Sequence, residues 1–175
     1  MFTLTSHSTL KRKGQYMKIG IVIHTVSGHT LKFAQAIREA LAQKGHEVDL
    51  TGLKVIGTPR IGFLPGGGGQ FNIKSPPELD EFDIVLIGAP VWGFKPSPVI
   101  TRYLQEDIGN LKGKKALSFV TMGSFGGKRA VRMMDAELES AGADMLEGEA
   151  LAYFIRANKE KMAAAVNRIC ERTGA

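Results

Sequence analysis

The chain has one cysteine, Cys170, so no internal disulfide can form. That fits a reducing compartment, and a cytoplasmic location is expected. Cys170 sits in a helical pattern near the end of the sequence and reads as core rather than as a redox thiol. No apolar run approaches the roughly 18–20 residues that cross a bilayer, so no membrane span is expected. No cluster of Cys, His, Asp and Glu has metal-ligand spacing, and no metal site is expected. No Ser/His/Asp constellation stands out. A basic stripe interleaved with aromatics is also missing, although the net charge is +6. Three of those charges are Lys11, Arg12 and Lys13, which leaves +3 for residues 17–175 and argues against a nucleic-acid partner.

What is present is the composition of a folded globular protein, 43% apolar and 23% charged, at a length of 175 residues that suits one core. Residues 1–16 differ from the rest. They are rich in Ser and Thr, lack hydrophobic periodicity, and hold no apolar h-region that would make them a secretory signal. They are expected to be a disordered or non-native extension, with residues 17–175 forming the domain and Met17 a plausible natural start.

Strand-like and helix-like patterns alternate from residue 18 onward. Residues 18–23 read as a buried strand, and Leu31, Ala34, Ile37 and Leu41 follow at helical spacing. Residues 46–51, 83–88, 116–121 and 145–151 are the next strands. The run at 83–88 is nearly all apolar, as expected for a strand covered on both faces. Ser97 and Pro98 supply an N-cap and a first-turn proline for a helix carrying Val99, Ile100, Tyr103 and Leu104. Val131, Met134, Leu138 and Ala141 mark a further helix, and Asn158 is read as the cap of the last one. Five strands alternating with helices predict an α/β three-layer sandwich around a parallel sheet. The exception is residues 52–81, which hold Gly66, Gly67, Gly68 and Gly69 and four prolines but no helical pattern. That segment reads as a surface loop or as a flap over a site.

Ligands of open parallel sheets bind beyond the carboxyl ends of the strands. Three segments fall there. Thr25, Val26, Ser27, Gly28, His29 and Thr30 follow the first strand and lead into a helix. Hydroxyls around one glycine at a helix N-terminus suit a phosphate, because free N–H groups and the helix dipole both favour an anion. The segment matches neither the ATP-type nor the dinucleotide glycine pattern; an ordinary capped helix is the alternative. Ala89, Pro90, Val91, Trp92, Gly93 and Phe94 follow the third strand and include the only tryptophan. Thr121, Met122, Gly123, Ser124, Phe125, Gly126 and Gly127 follow the fourth. Together they describe a pocket for a phosphorylated aromatic cofactor. His24 and His29 read as hydrogen-bonding loop residues, with a proton relay as the lesser alternative.

These three segments, in this order, resemble the flavodoxin-like family of FMN-binding proteins, short-chain flavodoxins and NAD(P)H-dependent flavin reductases among them. Residues 25–30 are similar to its T-x-T-G-x-T phosphate loop, residues 83–92 to its third strand and flavin-contact loop, and residues 121–127 to the third flavin loop of its reductase-like members. The resemblance implies a five-stranded parallel sheet in the order 2-1-3-4-5. It implies non-covalent FMN with its phosphate on Thr25, Ser27, Gly28, His29 and Thr30, and its ring between residues 90–94 and 122–127 against Trp92. It departs from the family where His29 replaces Asn, where the helix after the second strand is missing, and where acidic clusters are absent from the flavin loops, which Lys95, Lys128 and Arg129 flank instead.

The function so implied is electron transfer between redox partners, a partner protein or a small-molecule acceptor. The alternative is an FMN-dependent NAD(P)H:quinone or other acceptor oxidoreductase, whose nicotinamide would need room lined by Phe63, Phe71 or Trp92. A third class is a flavin-free interaction module.

Overall fold

The computed structural model describes residues 16–61, 69–153 and 159–174. The stretch 1–15, most of the glycine-rich run, Phe63 and the proposed cap Asn158 therefore lie outside the described residues. Tyr16 is described, and its hydroxyl donates to the Glu47 carboxylate.

The chain runs β1 (Lys18–Ile23), α1 (His29–Gln43), β2 (Glu47–Gly52), β3 (Lys54–Gly57), β4 (Phe71–Lys74), β5 (Ile84–Trp92), β6 (Lys95–Pro96), α2 (Pro98–Arg102), β7 (Lys115–Met122), α3 (Gly127–Ser140), β8 (Asp144–Met145), β9 (Glu149–Ala152) and α4 (Lys159–Thr173). A π-helical turn, Tyr103–Asp107, extends α2. β1 pairs in parallel with β2 and β5, β5 with β7, and β7 with both β8 and β9. Counting positions in this sheet alone, the order is 2-1-3-4-5, with the fifth position shared by β8 and β9.

Alternation along the strands sorts the core into two layers. Ile19, Ile21, Ile23, Ile84 and Leu86 face α1 and α4, meeting Phe33, Ile37, Leu41, Val166 and Ile169. Val22, Val85, Ile87 and Ala89 face the other way, against Ile100, Tyr103, Leu104, Ala130 and Met134 of α2, its extension and α3. Buried faces on both sides require the continuous apolar runs seen in the sequence. Layer contact is close at Gly88, where a Cβ would come within 2.3 Å of the Phe119 ring.

Two elements differ from the sequence reading. The helix-free segment after β2 is not loop throughout. β3 and β4 form an antiparallel hairpin, Val55 opposite Ile73, and Ile73 packs on the α2 side of the core. Leu53 enters it by donating to the Ile23 carbonyl at 2.8 Å. The fifth strand, read as continuous over 145–151, is broken at residues 146–148. A Cβ on Gly148 would sit 2.5 Å from Val131, so the break lets the chain pass close to α3.

Candidate functional site

β1 ends at Ile23, and the first loop leaves the sheet there. Gly28 turns it with φ +81°, a left-handed conformation natural for glycine, and serves as the N-cap of α1 with no side-chain cap. Thr25 Oγ1 accepts from the Gly28 N–H at 3.1 Å and closes the turn. Ser27 Oγ and His29 Nδ1 are 2.9 Å apart, Val26 is exposed, and Thr30 is buried. The Thr30 hydroxyl meets the Thr121 hydroxyl at 2.8 Å, so these two sequence-derived site residues face each other inside the fold rather than an open cavity.

The second loop is a continuation of β5. Ala89 lies in the core, and Pro90, Val91 and Trp92 are half-buried. Pro90 is tolerated because β1 stops opposite Gly88, so no strand on that side requires its missing N–H. The chain then reverses over two residues. Trp92 pairs with Lys95, and Gly93 and Phe94 both have positive φ, 57° and 66°. A two-residue hairpin turn of this hand needs that pair of angles. For a phenylalanine the angle is strained, and its ring remains 56% exposed.

The third loop follows β7. Met122 is half-buried, Gly123, Ser124 and Phe125 are exposed, and Gly126 caps α3 at φ +91° with no side-chain cap. Gly127, the first residue of α3, is buried against the Met122 side chain. A Cβ on Gly126 would lie 2.8 Å from the Phe94 Cα, so the second and third loops touch.

His24 joins the first loop to the second. Its Nδ1 lies 3.0 Å from Ser97 Oγ, and its ring meets Trp92 edge-on at 5.8 Å and 73°. Burial lowers its pKa, so the imidazole is neutral near pH 7. Ser97 also accepts from the Ile100 N–H at 3.5 Å and caps α2, as the sequence indicated. Its second task, holding His24, was not foreseen. Tyr153 was missed altogether. It follows β9, donates its N–H to the Met122 carbonyl at 2.6 Å, and stacks at a tilt on His29 at 4.3 Å. Burial raises the pKa of its hydroxyl, which has no partner among the described residues. The rule that ligands gather at strand carboxyl ends would have found it.

The three loops thus converge on one end of the sheet. Phe71 does not join them: it is buried, with the Arg102 guanidinium 5.4 Å above its ring, because the hairpin packs against α2. It cannot line an opening for a nicotinamide. Cys170 is buried and its thiol pKa is raised by that burial, in keeping with a core role. Among the described residues no group of His, Cys, Asp and Glu could hold a metal, and no helix is long and apolar enough to cross a membrane. Chemically, the site offers two helix N-termini without side-chain caps, hydroxyls beside one of them, aromatic rings beside both loops that follow, and a neutral imidazole.

No protein-family model and no curated protein matches the chain. Solved structures do. Oxidised flavodoxin 1 from Bacillus cereus superposes with a TM-score of 0.65 at 20% identity, over 89% of this chain and 97% of that one. Flavodoxin 2 from the same organism gives 0.61 at 25% identity, over 88% and 98%. A flavoprotein from Lactobacillus acidophilus, solved in complex with FMN, gives 0.52 at 18% identity, over 77% and 93%. The chain has the flavodoxin fold.

Proposed function

We propose that this protein binds FMN non-covalently and passes electrons between redox partners. The observation that carries the reading is the α1 N-terminus: left-handed Gly28 leads into it, no side chain caps it, and the hydroxyls of Thr25 and Ser27 stand beside it. A helix start left without a side-chain acceptor is suited to an anion, and these residues fit the terminal phosphate of FMN. Thr30 contributes chiefly its backbone N–H, since its hydroxyl is engaged with Thr121. The ring belongs between residues 90–94 and 122–127, with Trp92 against it.

When bound, FMN supplies one- and two-electron chemistry, and the protein contributes binding, orientation and electrostatics. Pro90 to Trp92 and Met122, all half-buried, would wall the ring from two sides. Gly123 allows close backbone approach, because nothing lies within 4 Å of where its Cβ would be. Neutral His24, held by Ser97, adds no charge beneath Trp92. Lys95, Lys128 and Arg129 make no ion pair among the described residues and favour negative charge at the site.

A second reading, an NAD(P)H:acceptor oxidoreductase, is favoured by the same unpaired cations, which suit a nucleotide phosphate. Steady-state oxidation of NADH and NADPH with a quinone separates the two. A carrier shows slow, quinone-independent turnover; rapid, saturable turnover establishes the enzyme. Purified protein without flavin absorbance that cannot be loaded with FMN refutes both and leaves an interaction module.

A further inference from the structure

Acidic residues and exposed apolar side chains are both unevenly distributed in this molecule. All seventeen acidic residues of the chain lie within the described residues. None falls in the first loop (24–30), the hairpin and its flanks (53–61, 69–77), the second loop (93–97) or the third (123–129). Those segments carry Lys54, Arg60, Lys74, Lys95, Lys128 and Arg129. Six of the seventeen acids, Glu47, Asp80, Glu81, Asp83, Asp107 and Asp144, lie at the opposite end, in the segments at the starts of β2, β5, β7 and β8, beside Lys18, Lys112, Lys114 and Lys115; the other eleven are spread over the rest of the chain.

Among the described residues the exposed large apolar side chains are Tyr16, Val26, Ile56, Ile61, Phe94 and Phe125. All but Tyr16 belong to the acid-free segments. Val26 is 70% exposed and Phe125 78%. Phe94 is held out at φ +66°, a backbone conformation that costs stability and is not offset by burial of its ring. Apolar side chains at the mouth of a site, ringed by cations and free of acids, are the anatomy of an interface with a carboxylate-rich partner.

From this we infer that the carboxyl end of the sheet docks a protein partner of acidic surface, with Phe94, Phe125 and Val26 as apolar contacts and Lys95, Lys128 and Arg129 as the steering charges. The inference rests on the proposed redox reading, since docking there brings a partner's redox centre to the mouth of the site. It predicts a polarity: an acidic redox protein binds and a cationic one is repelled.

The test measures binding of the full-length chain, with and without FMN, to two probes: an acidic [2Fe–2S] ferredoxin and a cationic c-type cytochrome. The acidic probe should bind, and its Kd should weaken about tenfold or more between low and physiological salt, as screened charge pairs require. The triple variant Lys95→Glu/Lys128→Glu/Arg129→Glu should lose at least about tenfold, whereas Lys112→Glu/Lys115→Glu at the far end should change Kd by less than about twofold. Phe94→Gly should weaken docking while raising Tm, because glycine relieves the positive φ; that gain separates a contact role from a folding defect. Tighter binding of the cationic probe, no binding of the acidic one, or an undiminished Kd in the triple variant would overturn the inference. FMN titration of the same samples keeps the two readings apart. FMN binding without acidic docking defeats only this inference, and failure to bind FMN defeats the redox reading while docking is still measured on the flavin-free chain.

Discussion

The hydroxyl pair Thr30–Thr121 ties the helix behind the first loop to the strand before the third, and it can be dissected. Both side chains are buried, and their oxygens are 2.8 Å apart. Thr30→Val keeps the shape, removes the bond, and leaves the Thr121 hydroxyl without its partner. A lost bond plus one stranded buried hydroxyl costs about 1–3 kcal/mol. For a protein of this size that is a drop of about 2–12 °C in Tm, at about 2–4 °C per kcal/mol. Thr121→Val should cost a similar amount. The double variant should cost much less than the sum, because replacing both partners by apolar groups of the same shape is nearly neutral. Urea unfolding of the flavin-free protein gives the four free energies of the cycle. A coupling energy near zero would refute the pairing. A Thr30→Val variant of unchanged stability but strongly weakened FMN affinity would show that this hydroxyl serves the phosphate and not the fold.

Three further outcomes are expected. His24 is neutral in the folded state because burial lowers its pKa, so the unfolded chain binds the extra proton as pH falls through the ordinary histidine range near 6.5. Stability should therefore rise with pH from the folded pKa to about 6.5 and gain nothing from His24 above it; pH-dependent unfolding of wild type and His24→Gln should differ in that acidic window, and parallel profiles would contradict the assignment. Trp92 fluorescence should be strongly quenched on FMN addition, and full emission in the loaded protein would place the ring elsewhere. Glu149→Gln should destabilise by about 2 kcal/mol in chemical denaturation, because the buried carboxylate takes bonds of 2.8–3.0 Å from Arg168 and Arg172 on α4 and the substitution halves its acceptors; an effect below about 0.5 kcal/mol would show that the triad adds nothing.

The parts of this fold that sequence pattern reveals are those governed by local burial. The apolar runs at β1, β5 and β7, the helical stripe of α1, and the Ser97–Pro98 start of α2 follow from periodicity and capping chemistry alone. The convergence of three loops was legible because a parallel sheet places its strand ends together. The rest depends on partners distant in sequence. The β3–β4 hairpin has strands of four residues each, too short for an alternation to register, and its packing is set by Arg102, which donates to the Phe71 carbonyl. The break in the fifth strand reflects Gly148 against Val131 and Glu149 against two arginines of α4. Within the site, Thr30 reads as a phosphate donor because its pairing with a residue 91 positions away has no local signature.

The most direct test of the whole account is titration of the flavin-free protein with FMN, riboflavin and FAD, followed by flavin fluorescence. If the uncapped start of α1 with Thr25 and Ser27 holds a terminal phosphate, FMN binds more tightly than riboflavin by at least about tenfold, the equivalent of one charge-assisted hydrogen bond of about 1.5 kcal/mol, and more tightly than FAD. Riboflavin binding as tightly as FMN would contradict the phosphate loop, and no flavin binding at all would contradict the account entire.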